Sequence, residues 1–299
     1  MYAALNGTRL YFDVEGAGLV PDAASMRQKP QAMIIHGGPG GDHSGFKPAL
    51  SPLAETMQLV YFDHRGQGRS DRGDPALYTL DQNVEDMEAL RRYLGLGKVV
   101  SIGTSYGGMV GMAHAARYPD AVSHLVVVVS AAHSGFIGRA QQVVAERGTA
   151  EQKSVCETLW AGAFRTPAEL QHYYEVMGPM YSRRFEPSVA AAVRGRGTLS
   201  PEPLNRAFGP DGFLRRYDIR PELGRITAPT LVIGGRHDWI CAPEFSEEIH
   251  RLIPGSQFRI FENSSHSIRV DEPELLISTI EAFVRGASGG SDQSEKIVM

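Results

Sequence analysis

One pentapeptide restricts the fold more than anything else in the chain: Gly103-Thr104-Ser105-Tyr106-Gly107, followed by Gly108. It joins an apolar run, Val99 to Ile102, to a segment, Tyr106 to Tyr118, that reads as a helix and stops before Pro119. A strand that turns directly into a helix needs a sharp, strained joint. A side chain at Gly103 or Gly107 would collide there with the neighbouring strand or helix. A loop can carry Gly-x-Ser-x-Gly by chance, but the strand before it and the helix after it argue against that reading. Such a joint lifts Ser105 above the sheet and sets it at a helix N-terminus, whose amides favour negative charge.

Similar apolar runs recur at Ala32 to Ile35, Leu59 to Phe62, Leu125 to Val129 and Thr230 to Ile233. They are rich in Val, Ile and Leu without strict alternation, as in parallel strands covered on both faces. Between them, Leu80 to Leu94 brings Val84, Met87, Leu90, Arg91 and Leu94 near one helical face. Pro243 to Leu252 opens on a proline suited to a first turn and stops before Pro254. Gln257 to Phe261 reads as the last strand, ahead of a final helix beginning near Pro273, and Leu10 to Glu15 alternates as part of an antiparallel edge. Alternating strands and helices predict a doubly wound α/β fold. The rhythm breaks from about His133 to Arg220. There Ala140 to Glu146, Lys153 to Phe164 and Pro167 to Met177 read as helices, and Pro201, Pro203, Gly209, Pro210 and Gly212 punctuate the exit. The expected organisation is a core of residues 1–132 and 221–286, a helical lid over 133–220, and a disordered Gly/Ser-rich tail over 287–299.

A length of 299 residues accommodates one large domain with such an insertion. With 30 Lys and Arg against 34 Asp and Glu and no basic patch, neither nucleic acid nor an anionic membrane is an expected partner. The expected partner is a small-molecule substrate, with the oligomeric state left open. The longest purely apolar run, Leu125 to Val129, is too short to cross a bilayer, and Met1 to Leu10 lacks the pattern of a secretory signal. Two cysteines, Cys156 and Cys241, fit neither a disulfide scaffold nor a metal-ligand spacing. A reducing, cytoplasmic setting without a bound metal is therefore the expectation.

Four segments carry chemistry. Ser105 is the candidate nucleophile. His36-Gly37-Gly38-Pro39-Gly40-Gly41 follows the strand Ala32 to Ile35. A glycine-rich turn there can aim a backbone amide at the oxyanion of an acyl-transfer intermediate, and the residue after the nucleophile, Tyr106, supplies a second. Pro39 has no N–H; Gly38 is the favoured donor and Gly37 the reserve, also placed beside substrate. A phosphate-binding role fits this turn poorly, because the Gly-Lys-Ser/Thr ending is missing. Gly234-Gly235-Arg236-His237-Asp238 follows the strand Thr230 to Ile233 and puts a carboxylate, Asp238, on the rim where open α/β sheets build their sites. Asn263-Ser264-Ser265-His266 follows the last strand, so that His266 can reach Ser105 while Asp238 holds its other nitrogen. The order Ser105, Asp238, His266 disfavours His237 as the base. In Asp63-His64-Arg65-Gly66-Gln67-Gly68-Arg69-Ser70, Asp63 and Arg65 read as structural, a charged pair and tight turns behind the site.

Assembled, these residues resemble the α/β-hydrolase superfamily over nearly the full chain, and more closely the proline iminopeptidase-like family. The matching pieces are His36 to Gly41, Asp63 to Ser70, Gly103 to Gly108, Gly235 to Asp238 and the loop ending at His266. The resemblance implies a helical cap, no metal and no organic cofactor. Relatives that cleave esters, lactones and other amides share the same pieces. Dehalogenases and epoxide hydrolases of this fold carry an aspartate where Ser105 stands. In iminopeptidases of this kind the cap carries a Trp-Glu-Gly-like segment whose glutamate helps bind the substrate's free amine. The nearest segment here is Trp160-Ala161-Gly162, with Glu157 and Glu175 as the acids that could substitute. The expected activity is therefore hydrolysis of an ester, lactone or amide of a small, largely apolar compound. Release of N-terminal proline is the second reading and a ligand receptor a distant third. Trp160, Phe164, Tyr173, Tyr174, Tyr181 and Trp239 are the candidate aromatic pocket residues.

Overall fold

The computed structural model describes residues 1–288. Ten strands form, in chain order, at β1 (Tyr2–Leu5), β2 (Thr8–Glu15), β3 (Leu19–Asp22), β4 (Ser25–Gln28), β5 (Gln31–Ile35), β6 (Gln58–Phe62), β7 (Val99–Thr104), β8 (Val122–Val128), β9 (Thr230–Gly235) and β10 (Gln257–Phe261). Eight of them make one sheet in the order β1-β2-β6-β5-β7-β8-β9-β10. From β6 to β10 every pairing is parallel, while β1 and β2 add an antiparallel margin. This is an α/β-hydrolase fold, a mostly parallel sheet flanked by helices. The alternating run Leu10 to Glu15 lies within β2, one strand in from the edge that β1 forms. The hairpin β3–β4 was not expected; its residues are almost all exposed, so burial leaves no imprint on the sequence.

The central strands alternate between two cores. In β5, Met33 and Ile35 face one side with α-helical partners such as Val84 and Val110, while Ala32 and Ile34 face the other with Leu276 and Phe283. Both sets are apolar, which explains why these strands show no polar alternation.

The helices are α1 (Lys47–Leu50), α2 (Leu80–Tyr93), α3 (Tyr106–Arg117), α4 (Gly135–Arg147), α5 (Ala150–Ala161), α6 (Pro167–Tyr181), α7 (Pro187–Arg194), α8 (Pro201–Phe208), α9 (Arg220–Leu223), α10 (Pro243–Leu252), α11 (Ile268–Asp271) and α12 (Pro273–Ser288). Helices α4 to α8 form an insertion between β8 and β9, entered and left at an antiparallel bridge between His133 and Asp218. Helices α7 and α8 replace the irregular exit expected from the sequence. Pro201 and Pro203 sit in the first turn of α8, where a missing N–H costs no hydrogen bond, so these prolines begin a helix and do not interrupt one. The last helix extends to Ser288, so residues 287 and 288 are helical and not part of a disordered tail. The rest of the expected tail, 289–299, lies outside the described residues. Among the described residues no helix is long and apolar enough to cross a membrane.

Because β5, β7, β9 and β10 are parallel, the segments that follow Ile35, Thr104, Gly235 and Phe261 all emerge at one edge of the sheet.

Candidate active site

Ser105 sits between β7 and α3 with φ 57 and ψ −122, a conformation that costs a non-glycine residue on the order of 1–3 kcal/mol. The joint is clamped on every side. The Ser105 amide donates to Val128 O at 2.9 Å, carrying the β7–β8 ladder up to the serine itself, and its carbonyl accepts from Ser130 Oγ at 2.8 Å. A Cβ on Gly107 would lie 2.1 Å from Ile35 O, and one on Gly103 would lie 2.2 Å from Gly107 O. Tyr106, the first residue of α3, presents an amide that the helix cannot use, and its buried ring is pinned by Asn83 Nδ2 at 2.7 Å to the hydroxyl.

The glycine-rich turn lies directly against this joint. A Cβ on Gly37 would approach Thr104 O to 3.0 Å and Ser105 Cβ to 3.1 Å, while Gly38 has φ 123, open to glycine but not to other residues. The loop after β6 holds the turn in place. Gln67 Oε1 accepts the Gly40 amide at 2.7 Å, and His36 donates from Nδ1 to Gly37 O while its Nε2 accepts the His64 amide. Asp63 accepts from the His43 amide, from His43 Nδ1 and from the Arg69 amide. Burial works to raise its carboxyl, but these partners outweigh it and hold it below the usual carboxylate range. Asp63 and Arg65 are thus structural, yet not a pair with each other: Arg65 forks onto buried Asp86 at 2.7 and 2.8 Å.

On the opposite side, Asp238 Oδ2 lies 2.7 Å from His266 Nδ1. The other oxygen, Oδ1, accepts the amides of Ile240 and Cys241 at 2.9 and 3.0 Å. Both lobes of the carboxylate are engaged, which orients the imidazole and leaves His266 Nε2 for other chemistry. The neighbours of His266 are tied to the end of α6. Ser265 Oγ donates to Met180 O at 2.6 Å and the Ser267 amide to Tyr181 O at 2.8 Å. His237 is exposed; its backbone amide donates to Ser264 O and its carbonyl accepts from Ser265 Oγ.

Ser105 and His266 line one cavity of about 350 Å³, walled by both the sheet edge and the helical insertion. Gly37, Gly38 and Tyr106 line it too. Of the aromatic residues expected there, Tyr173, Tyr174 and Tyr181 do; burial pushes their phenols up, that of Tyr174 to about 12. Trp160, Phe164 and Trp239 do not line it. Trp160 packs on Phe208, Phe164 packs on Tyr173, and Trp239 lies buried behind Tyr181. Their neighbours Leu159 and Ile240 form the wall instead. Ala161 is exposed at the end of α5, and Glu157 and Glu175 are exposed outside the lining, so none of the three brings or withholds a charge inside the cavity. The acids that do line it are Asp42 and Glu186, on segments that no spacing in the sequence connects. Among the described residues no group of three or more His, Cys, Asp or Glu could hold a metal ion.

The family model for the alpha/beta hydrolase fold matches residues 33–149. A proline iminopeptidase, PfmaB, of Pestalotiopsis fici is 30% identical over 92% of this chain and 98% of its own. This chain belongs to the proline iminopeptidase-like family of α/β hydrolases. Solved structures agree on the fold. VinJ superposes with a TM-score of 0.78 at 25% identity, covering 96% of this chain and 98% of its own. The enol-lactonase from Burkholderia xenovorans superposes with 0.70 at 24%, covering 95% and 100%. Membership in this family makes the chain an enzyme of the hydrolase superfamily.

Proposed function

We propose that the protein is a serine hydrolase that cleaves an ester, lactone or amide of a small, largely apolar compound through an acyl-enzyme. One observation carries this reading: a serine held at positive φ on the strand–helix joint opens into the same cavity as a histidine whose far nitrogen is held by a saturated carboxylate. Ser105 Oγ attacks the carbonyl carbon while His266 Nε2 takes its proton. Asp238 holds the imidazole in the tautomer this requires and stabilises the imidazolium. The amides of Gly38 and Tyr106 receive the oxyanion. His266 then protonates the departing alcohol or amine, and water activated by the same nitrogen releases the acid and restores the serine. Residues 133–220 act as a cap over the site, and the apolar walls they add favour an apolar substrate body.

The test is covalent. A fluorophosphonate should label Ser105, identified by peptide mass, and should abolish hydrolysis of a p-nitrophenyl ester. Label on another residue, or turnover surviving full labelling, would refute the assignment. Release of N-terminal proline is the second reading, favoured by the name of the Pestalotiopsis fici relative. It needs an anion for the substrate's ammonium. Asp42 is already engaged by Ser44 and the Thr198 amide, which leaves exposed Glu186 at the rim.

A further inference from the structure

The cavity wall is unbalanced in charge. Arg184, Arg194, Arg196 and Arg269 line it against Asp42 and Glu186. Arg184, Arg196 and Glu186 are exposed and face water, and Asp42 accepts from Ser44 N, Ser44 Oγ and Thr198 N, so it has little left to offer a cation. The two remaining arginines lie deeper. Arg269 follows His266 by three residues, stacks on Phe46 at 4.4 Å and donates from Nε to Gly45 O at 3.1 Å. These contacts fix the plane of the guanidinium and leave its Nη atoms without an acceptor among the described residues. Among those residues no carboxylate lies within 4.0 Å of it; Asp271, the acid nearest in sequence, is taken up by Ser182, Arg184 N and Ser265 N. Arg194, at the end of α7, has a buried Nε with no hydrogen-bond partner among the described residues, and its ion-pair partner Glu175 stands 4.0 Å off, outside the cavity. Gly45 separates Arg269 from α7: a Cβ there would touch Arg269 Nη2 at 3.9 Å and Val193 Cγ1 at 3.8 Å.

A guanidinium with open donors on the wall of an apolar cavity is completed best by an anion. Burial draws Arg269 down to about 10, which still leaves it charged at neutral pH. Its planar forked donors match the two oxygens of a carboxylate, the anion an apolar acid carries. We propose that the substrate carries a carboxylate, received by Arg269, at the end of the cavity formed by Gly45 and α7. This rests on the serine-hydrolase reading and narrows its substrate class to ester, lactone or amide compounds with an apolar body and an acid group. The same guanidinium repels a peptide's ammonium, which sets this class apart from aminopeptidase substrates.

The test compares mono-p-nitrophenyl esters of succinate, adipate and sebacate with the same compounds capped as methyl esters. Wild-type protein should prefer at least one free acid over its capped form by about tenfold or more in kcat/KM, the scale of one charge-assisted hydrogen bond. That ratio should collapse toward one in Arg269→Gln, and Arg269→Lys should recover part of it. Should a variant fail to fold, wild type alone decides: octanoate should compete with a neutral ester at least about tenfold more strongly than octanamide. Turnover of the capped esters with no acid preference, or equal inhibition by octanoate and octanamide, would overturn the arginine assignment and leave the hydrolase reading standing. No turnover of either series and no labelling of Ser105 by fluorophosphonate would instead remove the hydrolase reading beneath it.

Discussion

At the scale of single residues, the proposed chemistry is divided among side chains and amides that arrive from four separate strand ends. On that proposal, removing the nucleophile or the base removes the reaction. Ser105→Ala and His266→Ala should each lower kcat for a p-nitrophenyl ester by on the order of a thousandfold or more while leaving the melting temperature near that of wild type. Asp238→Asn should cost less than Ser105→Ala yet remain severe, because the imidazole would settle in the wrong tautomer. Full activity in any of the three would break the assignment. Prolonged EDTA should leave turnover unchanged, since the oxyanion meets amides; inhibition that added zinc reverses would count against the mechanism. The placement of these residues at strand ends was legible because each sits in a short local pattern after a strand. The cavity wall was not. Asp42, Arg194 and Arg269 meet only after the chain has folded, and no spacing in the sequence joins them. A large aromatic side chain suits packing as well as a pocket wall, and packing is what Trp160 and Trp239 do.

At the scale of elements, the joint between β7 and α3 is the most constrained place in the fold. Gly107→Ala would drive a methyl group to 2.1 Å from the backbone oxygen of Ile35, and backbone cannot step aside as a side chain can. Destabilisation on the order of 4 kcal/mol or failure to fold is expected. Gly138→Ala provides the contrast. It lies exposed inside α4 with nothing within 4 Å of the new methyl, so it should stabilise by about 0.5–1 kcal/mol. Paired thermal or urea melts check both, and a mild Gly107→Ala would mean the joint is looser than described. Strands with two apolar faces were readable at once. Elements that bury little were not: β3–β4 lies almost wholly at the surface and α7 buries none of its residues. Helix α8 buries Leu204 and Phe208 but hides behind two prolines that its first turn tolerates.

At the scale of the whole molecule, charge and burial set how the protein meets changes of pH and of substrate. His36 and His64 are buried under the site, and burial holds both below their ordinary value. A histidine depressed in the folded state leaves the unfolded chain to take the proton first. Its contribution to stability is therefore complete above about pH 6.5 and declines as pH falls below it, by up to about 1.4 kcal/mol per pH unit for each ring. Between about pH 7 and 5 the melting temperature should drop, and His64→Phe should flatten that slope. Equal slopes in variant and wild type would show that other groups govern the acid limb. Substrate choice is also a property of the whole. With Asp42 engaged and Glu186 at the rim, kcat/KM for a short-chain p-nitrophenyl ester should exceed that for proline p-nitroanilide, and N-acetylation of the anilide should not harm it. Preference for the free amine would move the iminopeptidase reading to the front, with Glu186→Gln the variant to make next. A last consequence lies in the hydrogen bonds from Ser265 and Ser267 to the carbonyls of Met180 and Tyr181. The loop that carries His266 thus leans on the end of α6, which also walls the cavity. If His266 is the base, as proposed, any change that reshapes the end of α6 to admit a new compound also disturbs the footing of that base.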